Sequence, residues 1–357
     1  MRKSLILIMT TLLIITLCAC SGSNNSGASD AHVFYYTYSD TYISSVRSAL
    51  NKAYQNENIG YHDYDSNGNQ TTQTEQVQTA ITKGAKALVV NIVNTGSDDA
   101  ANGIISQAKN AGLPVIFFNR EVSDAAVNSY DKCVFIGTDA QESGHMQGEM
   151  IGEYVVENFD TVDINGDGKI SYILFKGEEG NNEAIYRTQY AVEDANKVLT
   201  AAGKSELVFY DATNPNKYLV DKNGQWSAAA ANEYMTTALT SYNEANNNMI
   251  ELVICNNDGM AEGAITALNA AGYNTGSDKK IPVFGVDATD AAKELIKNNK
   301  MTGTIKQDAE GMGRAIALIT KNAINGSDLL ANTGDFHIDE NVAKVRIPYS
   351  KYMGEEK

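Results

Sequence analysis

The chain has 357 residues, 43% of them hydrophobic and 20% charged, and carries a net charge of −16 at neutral pH. That acidity excludes nucleic acid as a partner, because binding phosphate needs a basic face, and the length is too great for one comfortable core, so two domains are expected. The four histidines, His32, His62, His145 and His337, are scattered, and there is no HExxH helix, nucleophile elbow or Walker-type lysine loop; an enzyme is not expected.

Arg2 and Lys3 precede an apolar run from Leu5 to Leu17, which Thr10, Thr11 and Thr16 interrupt. It falls short of the roughly 18 to 20 apolar residues that cross a bilayer, and it reads as an export signal over residues 1–19. Leu17-Cys18-Ala19-Cys20 resembles the bacterial lipoprotein signal, in which cleavage before the last cysteine leaves that residue to receive lipid. Cys20 is then the lipidated N-terminus, and residues 20–30, rich in Ser, Gly and Asn, are a flexible tether. An ordinary cleaved signal with Cys20 unmodified is the alternative. The expected location is extracytoplasmic, with a lipid anchor to the cell membrane.

From His32 onward, apolar runs of strand length alternate with helical periodicity, the pattern of βαβ units and parallel sheets. The strand 32–38 ends in Ser39-Asp40 and feeds an amphipathic helix through Ile43, Val46 and Leu50. Next come a strand over 87–93, a helix over 104–111, and strands over 113–118 and 132–136. The strand 170–176 then ends in Gly177-Glu178-Glu179-Gly180 and feeds a helix through Arg187, Tyr190 and Val192, repeating the first unit. A strand over 251–255, a helix over 261–271 and a strand over 281–286 repeat the second set. The expected fold is therefore α/β, with two similar doubly wound parallel-sheet lobes. Cys133 and Cys255 fall in strands of different halves and read as small core residues rather than a disulfide pair.

In open parallel sheets ligands bind beyond the carboxyl ends of the strands. The residues there are Asp40, Asn94, Asn119, Asn181 with Glu183, Asn257 with Asp258, and Asp287. Any one of these is an ordinary turn or helix-cap residue. Repeated over two matched lobes, they suggest a shared polar cleft whose planar donors and acceptors suit vicinal hydroxyls, with the fork of Arg187 adding donors. Tyr42 and Trp226 are candidate faces for a pyranose ring, or else rim and core residues.

A second motif is Asp163-Ile-Asn165-Gly-Asp167-Gly-Lys169-Ile-Ser171. It has oxygen ligands at positions 1, 3 and 5, Gly at 6 and a backbone carbonyl at 7, as in a Ca²⁺ loop. Position 12 is Leu174 rather than Glu, so either the loop is a solvated turn or a carboxylate from elsewhere completes it. Asp63-Tyr-Asp65-Ser-Asn67-Gly68 looks similar but has Thr74 at position 12 and reads as a turn and cap before a helix starting near Thr71.

Over almost its whole length after the tether the chain resembles the periplasmic galactose/glucose-binding proteins of bacterial ABC importers. The resemblance rests on Tyr36-Thr-Tyr-Ser-Asp-Thr-Tyr-Ile-Ser-Ser-Val-Arg47, Pro114-Val-Ile-Phe-Phe-Asn-Arg120, Ser129-Tyr-Asp-Lys132, Gly137-Thr-Asp139, the Asp163 loop, Lys176-Gly-Glu178, Asn256-Asn-Asp258, Ile281-Pro-Val-Phe-Gly-Val-Asp287 and Val345-Arg-Ile-Pro-Tyr349. It implies a type I periplasmic binding protein fold with a three-segment hinge near Thr138, Ile305 to Gln307 and Val345. The N-terminal lobe is then 31–138 with 307–345, and the C-terminal lobe, carrying the calcium loop, is 139–306 with 346–357. It implies that Asp40, Asn119, Arg187, Asn257 and Asp287 hydrogen-bond a hexose while Tyr42, where relatives have Phe, and Trp226 sandwich its ring. Asn181, Glu183 and Gln307 stand where the family has His, Asp and Asn. The first two of those contact the hydroxymethyl and anomeric ends of the sugar in relatives. The resemblance also implies a structural Ca²⁺ held by Asp163, Asn165, Asp167, the Lys169 carbonyl, Ser171 (a Gln in the family) and Glu251. The implied partners are an ABC permease and its ATPase. The implied state is a monomer, and a chemosensory receptor for a pentose or another sugar is the alternative role.

Overall fold

The computed structural model describes residues 30–276 and 279–354. The export signal, Cys20 and all of the tether but Asp30 lie outside the described residues. In chain order the elements of the first half are β1 (Ala31–Tyr35), α1 (Thr41–Asn56), β2 (Tyr61–Asp65), α2 (Gln70–Thr82), β3 (Ala87–Val90), α3 (Asp99–Ala111), β4 (Val115–Phe118), α4 (Asp124–Asn128) and β5 (Cys133–Gly137). The second half continues with α5 (Ala140–Glu157), α6 (Phe159–Val162), β6 (Ser171–Lys176), α7 (Asn182–Ala201), β7 (Val208–Phe209), β8 (Leu219–Val220), α8 (Ala228–Leu239), β9 (Leu252–Cys255), α9 (Asp258–Ala270), β10 (Val283–Asp287), α10 (Asp290–Lys297) and β11 (Gly303–Gln307). The last elements are α11 (Ala309–Ile324), β12 (His337–Ile338), β13 (Lys344–Arg346) and β14 (Tyr349–Tyr352).

Two seven-stranded sheets result, in the orders β12-β13-β5-β4-β3-β1-β2 and β14-β11-β10-β9-β6-β7, with β8 also pairing with β6. All strand pairs are parallel except β12 with β13 and β11 with β14. The order β2-β1-β3-β4-β5 recurs as β7-β6-β9-β10-β11. It is the doubly wound order whose switch point lies beside the first strand, so the segments following β1 and β6 open onto a ready-made crevice.

Both faces of each sheet are covered, which explains the nearly continuous apolar strands. Alternate residues of β1 serve opposite faces. Val33 and Tyr35 pack with Ile43, Val46 and Leu50 of α1 and Met312 and Ile316 of α11. Phe34 packs on the other side with Val77, Leu88 and Ile104. The second sheet repeats this with two clusters built on Ile173 and Phe175, and on Tyr172 and Leu174.

The strand expected over 32–38 stops at Tyr35. Beyond it the Tyr36 N–H donates to Asn91 Oδ1 at 3.2 Å and the Tyr38 N–H to Asp65 Oδ1 at 3.2 Å, so side chains replace the ladder. Asp63 lies within β2 and pairs with Arg47, while Asn69 caps α2 through a 3.0 Å bond from the Thr72 N–H; this segment is indeed a strand end and a cap. The chain passes from the first sheet to the second after β5, returns after β11, and crosses again between β13 and β14. Gln307 is the last residue of β11 and pairs with Tyr349 in the second sheet, one residue beyond the expected boundary. Cys133 and Cys255 are buried, free, and in different sheets. Among the described residues no helix is long and apolar enough to cross a membrane.

Candidate functional site

Between the carboxyl ends of the two sheets lies a small polar cavity. Asp40, Tyr42, Asn119, Asn181, Glu183, Arg187, Trp226, Asn257, Asp287 and Gln307 all line it, and Tyr36 and Arg120 complete the wall. The ten residues singled out from sequence are therefore brought together from both sheets. Two other strand-end residues are not. Asn94 is exposed, and its Oδ1 accepts the Gly96 N–H at 2.9 Å as a turn residue does. Asp258 is buried behind the cavity, accepting from Thr304 Oγ1 at 2.7 Å and the Thr289 N–H at 2.8 Å.

Helix capping and cavity lining coincide at several positions. Asp40 Oδ1 caps α1 through the Ile43 N–H at 2.8 Å, while Oδ2 accepts the Tyr36 hydroxyl at 2.6 Å. Asn181 caps α7 with Oδ1 and donates from Nδ2 to Thr95 of the other lobe at 3.4 Å. Asn257 caps α9 and donates to the Trp226 carbonyl at 3.3 Å. A cap residue has non-helical backbone and one oxygen turned to the helix, which fixes its side chain at the strand end where the cavity lies. The cap thus orients the binding group.

Arg187, one turn into α7, is the most heavily tethered group. Its Nε donates to Ser143 Oγ at 3.1 Å, Nη1 to the Asn256 carbonyl at 2.9 Å, and Nη2 to the Tyr349 hydroxyl at 2.9 Å and Gln307 Oε1 at 3.4 Å. These partners come from α5, the end of β9 and the hinge strands, so the guanidinium is held from four directions. Trp226 lies against Gly177, where a Cβ would fall 2.1 Å from the indole; only glycine lets the ring settle on that backbone. Trp226 at φ 54°, Asn119 at φ 62° and Asp287 at φ 129° all occupy the positive-φ region. Asn accepts it readily, whereas Trp and Asp carry strain of a kind that clusters at ligand sites.

The lobes are closed on one another. Arg120, from the loop after β4, meets Glu178, from the loop after β6, at 2.7 Å. Arg187, Asn257, Asp287 and Gln307 are nearly wholly buried. Within this closed cavity several polar atoms have no partner: both carboxylate oxygens of Glu183, Nε2 of Gln307 and Nε of Arg120. Buried polar atoms are almost always paired, so a cluster of orphans in one cavity marks groups reserved for a ligand.

Burial, with Glu121 adding repulsion, pushes the Glu183 carboxyl above the usual range against the pull of Arg187. Burial and then the neighbouring Asp258 push Asp287 well up, Arg187 opposing, and burial raises Asp258 to about 7. Hydroxyl groups donating into Glu183 and Asp287, which line the cavity, would relieve the desolvation that causes their shifts.

The Asp163 loop is well ordered by its own bonds. Asp163 accepts from the N–H groups of Gly166, Asp167 and Gly168 at 2.8, 3.1 and 2.9 Å, and Asn165 Oδ1 accepts the Asp167 N–H at 2.9 Å. Glu251, wholly buried just before β9, accepts the N–H groups of Ile164, Asn165 and Ser171 at 2.8, 3.2 and 2.9 Å. Burial holds its carboxyl up, the three N–H donors lower it, and Asp163 raises it. Ser171 Oγ donates instead to the Met249 carbonyl at 2.5 Å. Among the described residues no group of three or more His, Cys, Asp or Glu side chains converges as a metal cluster. The donor set is nevertheless hard oxygen, with two negative groups, Asp163 and Glu251, brought close, which is the chemistry a Ca²⁺ site requires.

Two hinged lobes closing over a small, polar cavity define a receptor that captures a solute. The chain belongs to the periplasmic binding proteins: the family described as periplasmic binding protein domain matches residues 31–328. It is 36% identical over 319 residues to the D-galactose/methyl-galactoside binding periplasmic protein MglB of Haemophilus influenzae, covering 89% of this chain and 87% of that one. It is 28% identical over 270 residues to the D-xylose-binding periplasmic protein of Escherichia coli, covering 75% and 69%. Among solved structures it is similar to an ABC transporter solute binding protein from Bacillus halodurans with bound myo-inositol, at TM-score 0.68 and 25% identity, covering 93% and 96%. The fold is shared with a solute binding protein from Clostridium phytofermentans with bound β-D-glucose, at TM-score 0.70 and 21% identity, covering 91% and 94%.

Tyr36 and Arg120 are the lining residues that strand-end reasoning missed. Arg120 directly follows Asn119, and Tyr36 lies four residues before Asp40, so both were within the segments that the rule points to. No residue type flagged them, because an Arg or Tyr next to a strand is as often a surface or core residue.

Proposed function

We propose that the protein is an extracytoplasmic, lipid-anchored receptor that captures a monosaccharide, galactose or glucose, between its lobes and delivers it to an ABC importer. The observation that carries this reading is the cavity itself: nine residues with carboxylate, carboxamide or guanidinium groups line it together with three aromatic side chains, Tyr36, Tyr42 and Trp226. Hydroxyls of a pyranose match the planar donors and acceptors, and its C–H faces match the rings. The name of the Haemophilus influenzae relative favours galactose. Because the cavity is walled by both lobes, a bound sugar stabilises the closed form, which a permease can distinguish from the open one.

A pentose is the second reading. It is favoured by the length of Gln307, whose amide occupies cavity space, and by the relatives named for D-xylose. Calorimetric titration with galactose, glucose, ribose and xylose separates the two, and binding of none of these sugars refutes both.

The Asp163 loop is assigned a structural Ca²⁺, held by Asp163, Asn165, Asp167, the Lys169 carbonyl and Glu251, with Ser171 contributing less than a longer side chain would. The ion would neutralise the two facing carboxylates of Asp163 and Glu251 and tie the loop before β6 to the start of β9. Loss of the calcium-dependent gain in melting temperature on adding EDTA tests this.

A further inference from the structure

The turn that carries Asp287 into the cavity is strained at two successive residues, Asp287 at φ 129° and Ala288 at φ 53°. Neither is glycine, and conformations of this kind persist only where the surrounding structure over-determines them. Behind the turn stand two wholly buried side chains that are not part of the cavity wall, Asp258 at the start of α9 and Thr304 in β11. Asp258 Oδ2 accepts the Thr289 N–H at 2.8 Å, and Oδ1 accepts the Thr304 hydroxyl at 2.7 Å. That hydroxyl in turn accepts the Ala288 N–H at 3.3 Å.

Both N–H groups that follow Asp287 are therefore taken by this pair, one directly and one through the Thr304 hydroxyl. A carboxylate suits the task because it accepts at two oxygens, and a hydroxyl because it donates to one group while accepting from another. Gly285 makes room for them: a Cβ there would fall 2.4 Å from Asp258 Oδ1. Gly285 is also the register partner of Thr304, so carboxylate and hydroxyl meet over the one residue of β10 without a side chain. The arrangement has an electrostatic cost. Burial first, and then the Asp258 charge, push the Asp287 carboxyl up. A second carboxylate here works against the charge of the first, so its contribution lies in the hydrogen bonds it accepts.

We infer that Asp258 and Thr304 are positioning residues, a clamp that holds the strained Asp287–Ala288 turn and so aims the Asp287 carboxylate at the captured sugar. Both act through the backbone of residues 287–289. Ala288 is buried, so without the Thr304 hydroxyl its N–H loses an acceptor that water does not replace. Rotation of the turn is the way to restore a partner and to release the strain together, and it carries the Asp287 side chain with it. A binding carboxylate displaced in this way loses contacts that a site of fixed geometry depends on. The aiming of Asp287 rests on the sugar reading above, whereas the holding of the turn does not.

Three variants test the clamp. Thr304→Val keeps the shape and removes the hydroxyl, Thr304→Ser restores it, and Asp258→Asn removes the charge while keeping an acceptor for Thr289 and a donor for Thr304. Crystal structures of the ligand-free variants read the turn, calorimetry reads affinity for galactose, glucose, ribose and xylose, and thermal melts show that each variant folds. In Thr304→Val the turn is expected to leave its positive-φ geometry, and sugar affinity to fall roughly 5- to 150-fold, the scale of one buried polar group left unsatisfied. Thr304→Ser and Asp258→Asn are expected to keep the turn and to bind near wild-type affinity. In an Asp287→Asn background the Thr304→Val loss should shrink, because a weaker contact loses less by being misaimed. An unmoved turn in Thr304→Val, or a loss in Thr304→Ser as large as that in Thr304→Val, overturns the clamp. Unchanged affinity in Thr304→Val, or an equal loss in both backgrounds, overturns the aiming role. If the wild type binds none of these sugars, the proposed function and the aiming role fail together, while the ligand-free structures still decide the clamp.

Discussion

Gly177→Ala tests the seat of Trp226. A Cβ built on Gly177 would stand 2.1 Å from two indole carbons and 2.6 Å from a third, whereas ordinary contact begins at 3.4 Å. The ring must therefore retreat by about 1.3 Å, and since the backbone lies beneath it the retreat is into the cavity. Gly177 is not among the positive-φ residues, so the added methyl brings no backbone strain and the effect isolates packing. Overpacking of this kind costs about 1–3 kcal/mol. Taken out of binding, it predicts an affinity for the captured sugar about 5- to 150-fold weaker, at 1.4 kcal/mol per decade. The assay is calorimetric titration, with the melting temperature followed to show that the lobes still fold. Gly103→Ala on α3, where a Cβ would meet nothing within 4 Å, serves as the matched control and should bind as wild type does. Wild-type affinity in Gly177→Ala would refute the claim that the indole stacks on the ligand from this seat.

The remaining predictions concern charge, metal and packing. Burial shifts the Glu183 carboxyl above the usual carboxylate range without ligand, and hydroxyl donors favour its ionised form. Binding then releases a proton, so affinity rises with pH, by at most tenfold per unit, up to the ligand-free pKa and levels off above it. Glu183→Gln should flatten that part of the profile, and an unaltered pH profile would count against the contact. Calcium at a hundred times its dissociation constant should add about 2.7 kcal/mol to unfolding free energy, and Glu251→Gln should make the melting temperature indifferent to calcium and EDTA alike. Gly148→Ala should lower thermal stability, because its Cβ would lie 2.4 Å from the Tyr190 carbonyl where α5 presses on α7. At about 1–3 kcal/mol for overpacking and about 2–4 °C per kcal/mol for a domain of this size, several degrees would be lost in a thermal melt.

The doubled architecture was legible because it is written in local periodicity. Runs such as Leu113 to Phe118 and Ile281 to Val286 can bury themselves only as strands covered on both faces, and the helices between them need no long-range information to be recognised. Element ends were less legible. The first strand stops at Tyr35 and not Tyr38 because Asn91 and Asp65, distant in sequence, take the N–H groups that the ladder would have used. The same holds for Gln307, which a one-residue choice of hinge assigns to either lobe until its pairing with Tyr349 is seen.

For the site, the chain alone determined a set of polar strand-end residues and, through its opening residues and spaced aspartates, the expectations of export and of a cation loop. It could not decide which strand ends converge. Asn94 and Asp258 follow strands as Asn119 and Asp287 do, yet one turns into a surface loop and the other is consumed by Thr289 and Thr304. Nor could it show that Arg187 is engaged by Gln307 and Tyr349 of β11 and β14, while the Glu183 carboxylate has no partner. Strand and helix are set by neighbours three or four residues away, whereas which polar atoms remain free is set by who else arrives in the same space, and that depends on how two sheets close over one cavity.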